Sequence, residues 1–211
     1  AFAVVANATV GGVAANVSLA LALITSIQNA SMEGGAAINL TGNLTVKSRQ
    51  NMDAFRPSEL DLVQQFAAEI GVPALQRTAM AQAYIFSASI GMIVVKANAA
   101  IARANAASWA KAAGTNIIVG GNILAENVAK SEAVSKIDNL SAGLASVGIM
   151  VGYSYAQGSF EAVVDSTGSI QAGGNINALN TYTSNAETII TPALGGVSAS
   201  YTLTAMVNVA Y

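Results

Sequence analysis

Ile170-Gln171-Ala172-Gly173-Gly174-Asn175-Ile176-Asn177-Ala178 has two siblings in the chain, Ile117 to Ala125 and Ile38 to Val46. In each copy a Gly-Asn pair (Gly42-Asn43, Gly121-Asn122, Gly174-Asn175) separates short alternating runs, with an apolar residue directly after it and another two positions on. Such a pattern is a strand with a kink. Its repetition makes internal periodicity the first thing to test, because a repeat decides the fold before any local propensity does.

Working outward, Gly11 to Leu19 sets over Gly195 to Leu203 without a gap, small residues first and an alternating strand after. The end of the chain thus restarts a unit seen at its beginning. Ser89 to Ile93 and Ser146 to Met150 open the units between. The kinks lie 79 and 53 residues apart, and Ala54, Ala133 and Ala186 each follow their kink glycine by twelve. Aligning Gly91 with Gly148 places 22 extra residues between Ala54 and about Ala79, and four more between Gly91 and Gly121, where Lys96 to Lys111 makes a longer connection.

Within the repeated segments the apolar period is two, as in Val17, Leu19, Leu21, Leu23 and again in Ile38, Leu40, Leu44, Val46. These sets are expected to face inward, with Asn39, Thr41, Asn43 and Thr45 opposite. Gly34-Gly35, Gly120-Gly121 and Gly173-Gly174 supply corners. Units that cannot close a core alone, built of strands and corners, imply an all-β parallel β-helix (a β-solenoid) of irregular repeats of about 53 residues. With two coils per unit at about 4.8 Å each, the expected rod is on the order of 40 Å long. Aligned kink asparagines are expected to stack as a ladder. The chain reads as one solenoid segment over 1–211 and as an excerpt of a longer chain, since Ala1 opens with neither an initiator Met nor a charged leader.

The insertion, at about 55–78, reads differently. Pro57 to Pro73 offers a Ser58 N-cap, acids in the first turn, a stripe of Leu62, Phe66 and Ile70, and Gly-Val-Pro as a stop. That predicts one inserted α-helix at about 58–70. Its stripe is a candidate contact surface. Ala97 to Ala113 is helical by propensity, but repeat phase makes it a strand followed by a loop. Val128 to Ile137 reads as an exposed strand or irregular arm.

The chain is 53% hydrophobic but only 9% charged, with net charge −2, and has neither Cys nor His. A basic nucleic-acid surface is excluded, as are disulfides, thiolate zinc sites and imidazole chemistry. No apolar run approaches the length of a membrane-spanning helix. The close acidic pairs, Glu59 with Asp61 and Glu161 with Asp165, read as a helix first turn and a solvated strand edge. No calcium-solenoid repeat and no phosphate loop occur. The expectation is therefore a protein that is not an enzyme, with no cofactor and no metal site.

Candidate contact residues are Trp109, taken as a loop-tip anchor, and Tyr153 with Tyr155, two apart on one strand face. They belong to a group of aromatics in the last third that includes Phe160, Tyr182 and Tyr201. Thr181-x-Thr183 and Thr202-x-Thr204 offer a remote ice-binding reading. Asn7, Asn29, Asn39, Asn43 and Asn139 stand in glycosylation sequons.

The succession of alternating strand, Ile-x-Ala-Gly-Gly-Asn-Ile-x-Ala and Ala-bearing arm resembles the repeats of filamentous-haemagglutinin-like and leukotoxin-like large bacterial exoproteins. Ser169 to Ala178 carries the resemblance most clearly, then Asn116 to Ala125, then Asn39 to Val46. It implies a secreted, extracellular or surface-attached fibre whose shaft associates with like repeats, end to end or laterally. The alternative is a discrete binding module for a host protein or glycan.

Overall fold

A computed structural model of the chain describes residues 1–33, 35, 37–51 and 80–210, and for 192–206 and 208–210 only the backbone. The described residues form β1 (Phe2–Glu33), β2 (Ile38–Leu40), β3 (Leu44–Gln50), β4 (Ala81–Gly114), β5 (Ile117–Val119), β6 (Ile123–Ser166), β7 (Ile170–Ala172) and β8 (Ile176–Ala210). All strand pairing among them is parallel, and none of them is helical. The fold is an all-β parallel solenoid. The helix expected at 58–70, with Leu62, Phe66 and Ile70, lies outside the described residues.

Register follows the kinks. Ile38, Ile117 and Ile170 stand in one column, and Leu44, Ile123 and Ile176 in the next. Each repeat of about 53 residues is a single coil, so the expected two coils per unit become one. Four layers then rise by only about 14 Å in total, and the 40 Å rod becomes a short stack of very long coils.

How a coil closes is visible inside β6. Ser154 Oγ donates to Ser135 Oγ at 2.8 Å, although the two are 19 residues apart in the same strand. A straight strand would separate them by about 60 Å. The strand must double back between them, and the pairing register breaks at Gly143/Ala145. Between β1 and β4 the pairing is interrupted, without a shift of register, just after the partners Gly11 and Gly91. One wall of the coil therefore holds residues 2–10, 81–90 and 123–142. The other holds 13–33, 93–114 and 145–166, and β2, β5 and β7 form a narrow third side. A Cβ on Gly91 would strike Gly11 O, and one on Gly143 would strike Gly91 O, so this bend admits only glycine. The third member of the column is Gly143 rather than Gly148, and the fourth is Gly196. With that alignment the excess length lies between Gln50, which pairs Ala129, and Ala81, which pairs Ala133. No four-residue excess remains between Gly91 and Gly121.

The second wall turns its large residues outward. Val17 is 82% exposed and Leu21 48%, while Ala20, Ala22, Ala100, Ala102 and Ala104 are buried. The expected inward set Val17, Leu19, Leu21, Leu23 is thus the outer face. Small side chains fill much of the gap, in columns such as Ala20, Ala100, Gly152 and Ala22, Ala102, Ser154, with Ile85, Ile137 and Met150 at intervals. At the opposite end of the coil the expectation holds, since Ile38, Leu44, Val46, Ile117 and Ile123 form a second buried cluster.

Ala97 to Ala113 is strand throughout, with no loop, and continues to Gly114. Helix propensity loses because β4 is bonded on both edges, to β1 and to β6, so every coil supports the extended backbone above and below it. Val128 to Ile137 is not an exposed arm. It lies within β6, with Ala129, Ala133, Val134 and Ile137 buried.

Candidate contact surfaces of the solenoid

The kinks explain their own composition. Gly121 N donates to Gly42 O at 2.9 Å and Gly174 N to Gly121 O at 3.0 Å. Beside them Asn122 N donates to Asn43 Oδ1, and Asn175 N to Asn122 Oδ1, both at 2.8 Å. The expected ladder exists, but it runs from each side chain to the next backbone amide rather than from amide to amide. A Cβ on Gly121 would collide with Asn43 Oδ1, and one on Gly174 with Asn122 Oδ1. Glycine precedes asparagine because the asparagine one coil below occupies that space. A Cβ on Gly42 meets nothing within 4 Å. Asn116 performs the same service at another corner, accepting from Ser169 N at 3.0 Å. Sequence reading passed over Asn116, whose only signal was its place just before an Ile-Ile pair.

The last layer of the stack differs from its middle. In the column Leu44, Ile123, Ile176, the middle member is 0% exposed and the last 48%. Likewise Ala129 is buried and Tyr182, its partner in the last layer, is exposed. Tyr182 stacks on Phe160 across the gap between the walls, ring centroids 5.3 Å apart. Inward positions therefore lie open at this end, where a further coil would cover them.

On the outer face of the second wall, Tyr153 and Tyr155 are half-buried and nearly parallel, with centroids 6.3 Å apart and 6° between planes. Arg103, one coil earlier and in register with Tyr155, sits 5.2 Å from that ring centre. Tyr155 Oη donates to Gln157 Oε1 at 2.7 Å. Trp109 is on the same face but on a strand rather than at a loop tip, half-buried between Asn29 and Glu161 in register. It belongs to a polar belt beyond the tyrosines, with Lys111 paired to Glu33 at 3.4 Å. The structure brings Tyr153 and Tyr155 together and leaves Trp109 apart from them.

The interior holds a polar seam near the glycine bend. Lys96 is 2% exposed, and its ammonium donates to Ser87 O at 3.1 Å, to Asn139 Oδ1 at 2.6 Å and to Leu140 O. Burial lowers its pKa to about 8. Asn7 donates to Asn16 at 2.7 Å, and Asn16 to Ser87 at 3.1 Å. Of the sequon asparagines, Asn139 is buried here and has no room for a glycan in the folded chain.

Tyr84, raised in pKa by burial and by its hydrogen bond to Asp138 at 2.7 Å, remains a donor. Glu161 and Asp165 are exposed. The described residues contain no group of three or more His, Cys, Asp or Glu placed to hold a metal ion, and among them there is no helix long and apolar enough to cross a membrane. Thr181 and Thr183 stand over Val128 and Lys130, and Thr202 and Thr204 over Gly148 and Met150. Among the described residues these Thr-x-Thr pairs are not continued by Thr-x-Thr in the coil beneath. Comparison with protein-family models, curated proteins and solved structures gives no match for the chain.

Proposed function

We propose that the chain is a non-catalytic shaft segment of a secreted or surface-attached bacterial fibre, lengthened by like coils stacked end to end. The carrying observation is the column Ile123, Ile176. A residue type fully buried in the middle layer is half exposed in the last one, beside an open parallel edge, so the end is shaped for another layer. The Asn43, Asn122, Asn175 ladder supports the same reading, because Asn175 Oδ1 stands where Asn43 and Asn122 each receive the next coil's amide. The resemblance of the Gly-Gly-Asn strands to large exoprotein repeats supports the surface location.

Gly42 supplies an end-specific test. If a coil docks beneath it as coils dock elsewhere, a methyl there meets the asparagine of that coil and stops growth. Gly42→Ala is expected to leave the melting temperature unchanged and to abolish elongated assemblies seen by light scattering or electron microscopy. Unsubstituted protein that never lengthens at any concentration sinks the proposal.

A further inference from the structure

The outer face of the second wall combines three properties that a solvated wall lacks. It is apolar, with Val17, Leu19 and Leu23 at 82%, 59% and 55% exposure in the first layer and Ile93, Val95, Val147 and Ile149 each at 46% to 48% above them. Its charge is a single Arg103 between the glycine bend and the tyrosine pair across β1, β4 and β6, and that guanidinium lies against Tyr155. It is also a continuous parallel sheet, so its side chains stand in columns on one surface. Eleven residues by the three layers β1, β4 and β6 span about 36 Å by 14 Å, or roughly 500 Å² of sheet. A stable pair needs about 800 Å² on each partner. A contiguous exposed apolar patch of a few hundred Å² is often a contact surface.

We infer that this face is the lateral interface between two copies of the chain, packed sheet against sheet. The inference rests on the shaft reading for its setting and adds the surface and the partner. A second copy fits better than a membrane surface because the face lacks the cluster of Lys and Arg that draws a protein to anionic lipid, and the chain is net negative. A two-fold pairing sets the same Val and Leu columns against themselves, which needs no matching charges. It also explains the inverted wall. Large residues on the outside of a single coil become the centre of a sandwich, while the Ala columns hold each coil flat.

The test is sedimentation over a concentration series in the Gly42→Ala background, where end growth is blocked. The expected species has twice the 21.2 kDa chain mass. Leu19→Glu with Val95→Glu is expected to halve that mass with the strand circular-dichroism spectrum kept, and Leu21→Ser with Ile149→Ser to weaken pairing at least tenfold. A monomer up to the high micromolar range, or a dimer indifferent to both pairs of substitutions, overturns the inference. So does a monomer that floats with phosphatidylcholine vesicles and loses them in the glutamate variant, because the face then belongs to lipid. Long assemblies of single-solenoid width uphold the shaft and overturn the pairing. Dimers that never lengthen in the unsubstituted protein uphold the pairing and sink the shaft.

Discussion

The ammonium of Lys96 donates to Asn139 Oδ1 at 2.6 Å across the interior, and the other two acceptors that hold it, Ser87 O and Leu140 O, are also uncharged. A lysine buried against neutral partners keeps its hydrogen bonds and loses its hydration without gaining a counter-charge.

Its titration sets a pH dependence. The folded pKa is about 8 against 10.5 for the free side chain. Below about 8 both states carry the proton and the slope is flat. Between there and 10.5 only the unfolded chain binds it, so stability rises with pH, by up to roughly 3 kcal/mol. Tyr84, with its pKa raised, acts in the opposite sense above pH 10. The difference between wild type and Lys96→Met in urea unfolding, followed from neutral to alkaline pH, isolates the lysine; a flat difference refutes its neutral burial.

Gly121 and Gly42 hold the same repeat position in different layers. Gly121→Ala forces a methyl onto Asn43 Oδ1 and is expected to cost about 2 kcal/mol, in the range of overpacked cores. Gly42→Ala, with open space, should stay within about 0.5 kcal/mol. Chemical denaturation of the two proteins in parallel checks the contrast, and equal losses would mean that backbone conformation rather than the ladder selects glycine.

Asn122 both receives and gives in the ladder. Asn122→Ala leaves Asn175 N without its acceptor and should cost about 1 kcal/mol. Asn122→Asp keeps an acceptor of the same shape and should retain most of the stability. Thermal melts that rank Asp with Ala would show that the side-chain NH₂ matters instead.

The inverted wall reverses the usual expectation for substitutions. Ala102, fully buried between the walls, has no room to grow, and Ala102→Leu should cost at least 1 to 3 kcal/mol. Leu21→Ser, on the outer face, should change monomer stability by less than about 1 kcal/mol. Unfolding under conditions that keep the chain monomeric decides between this wall and its mirror.

Coil closure is expected to survive replacement of residues 51–80, although Met80 at the end of that stretch is buried in the core. Gln50 and Ala81 stand in register with Ala129 and Ala133, which three residues connect in the next layer. Replacing 51–80 by a connection of that length should retain the strand spectrum and a cooperative melt. Collapse to an unfolded spectrum would make the insertion part of the fold's core.

Several features were legible because they are one-dimensional. The Gly-Asn pairs keep time along the chain, and the register Asn43, Asn122, Asn175 is the one their spacing predicts. The same clock overrode helix propensity at Ala97 to Ala113, and Ala133 does pair Ala186. It failed at Gly148, because the bend glycine is chosen by the backbone it touches, and Gly143, not Gly148, touches Gly91. Trp109 was misplaced for a related reason: a long Ala-rich connection looks like a loop until both of its edges are seen to be bonded.

By itself, then, the sequence determined that the chain forms strands, that they stack in parallel as units of about 53 residues, and which columns the kinks fill; that each unit is one coil rather than two came from the tertiary pairing. Only the tertiary structure decided which face of each strand is inside. Period two marks two faces without naming the inner one, and in β1 neither the Val17, Leu19, Leu21 row nor the Ser18, Ala20, Ala22 row carries a charge to break the tie. The distance between the walls breaks it. Where they close to the width of alanine the small row goes in and the large row is left for a partner, and where they open around Ile38, Leu44 and Ile123 the large row goes in.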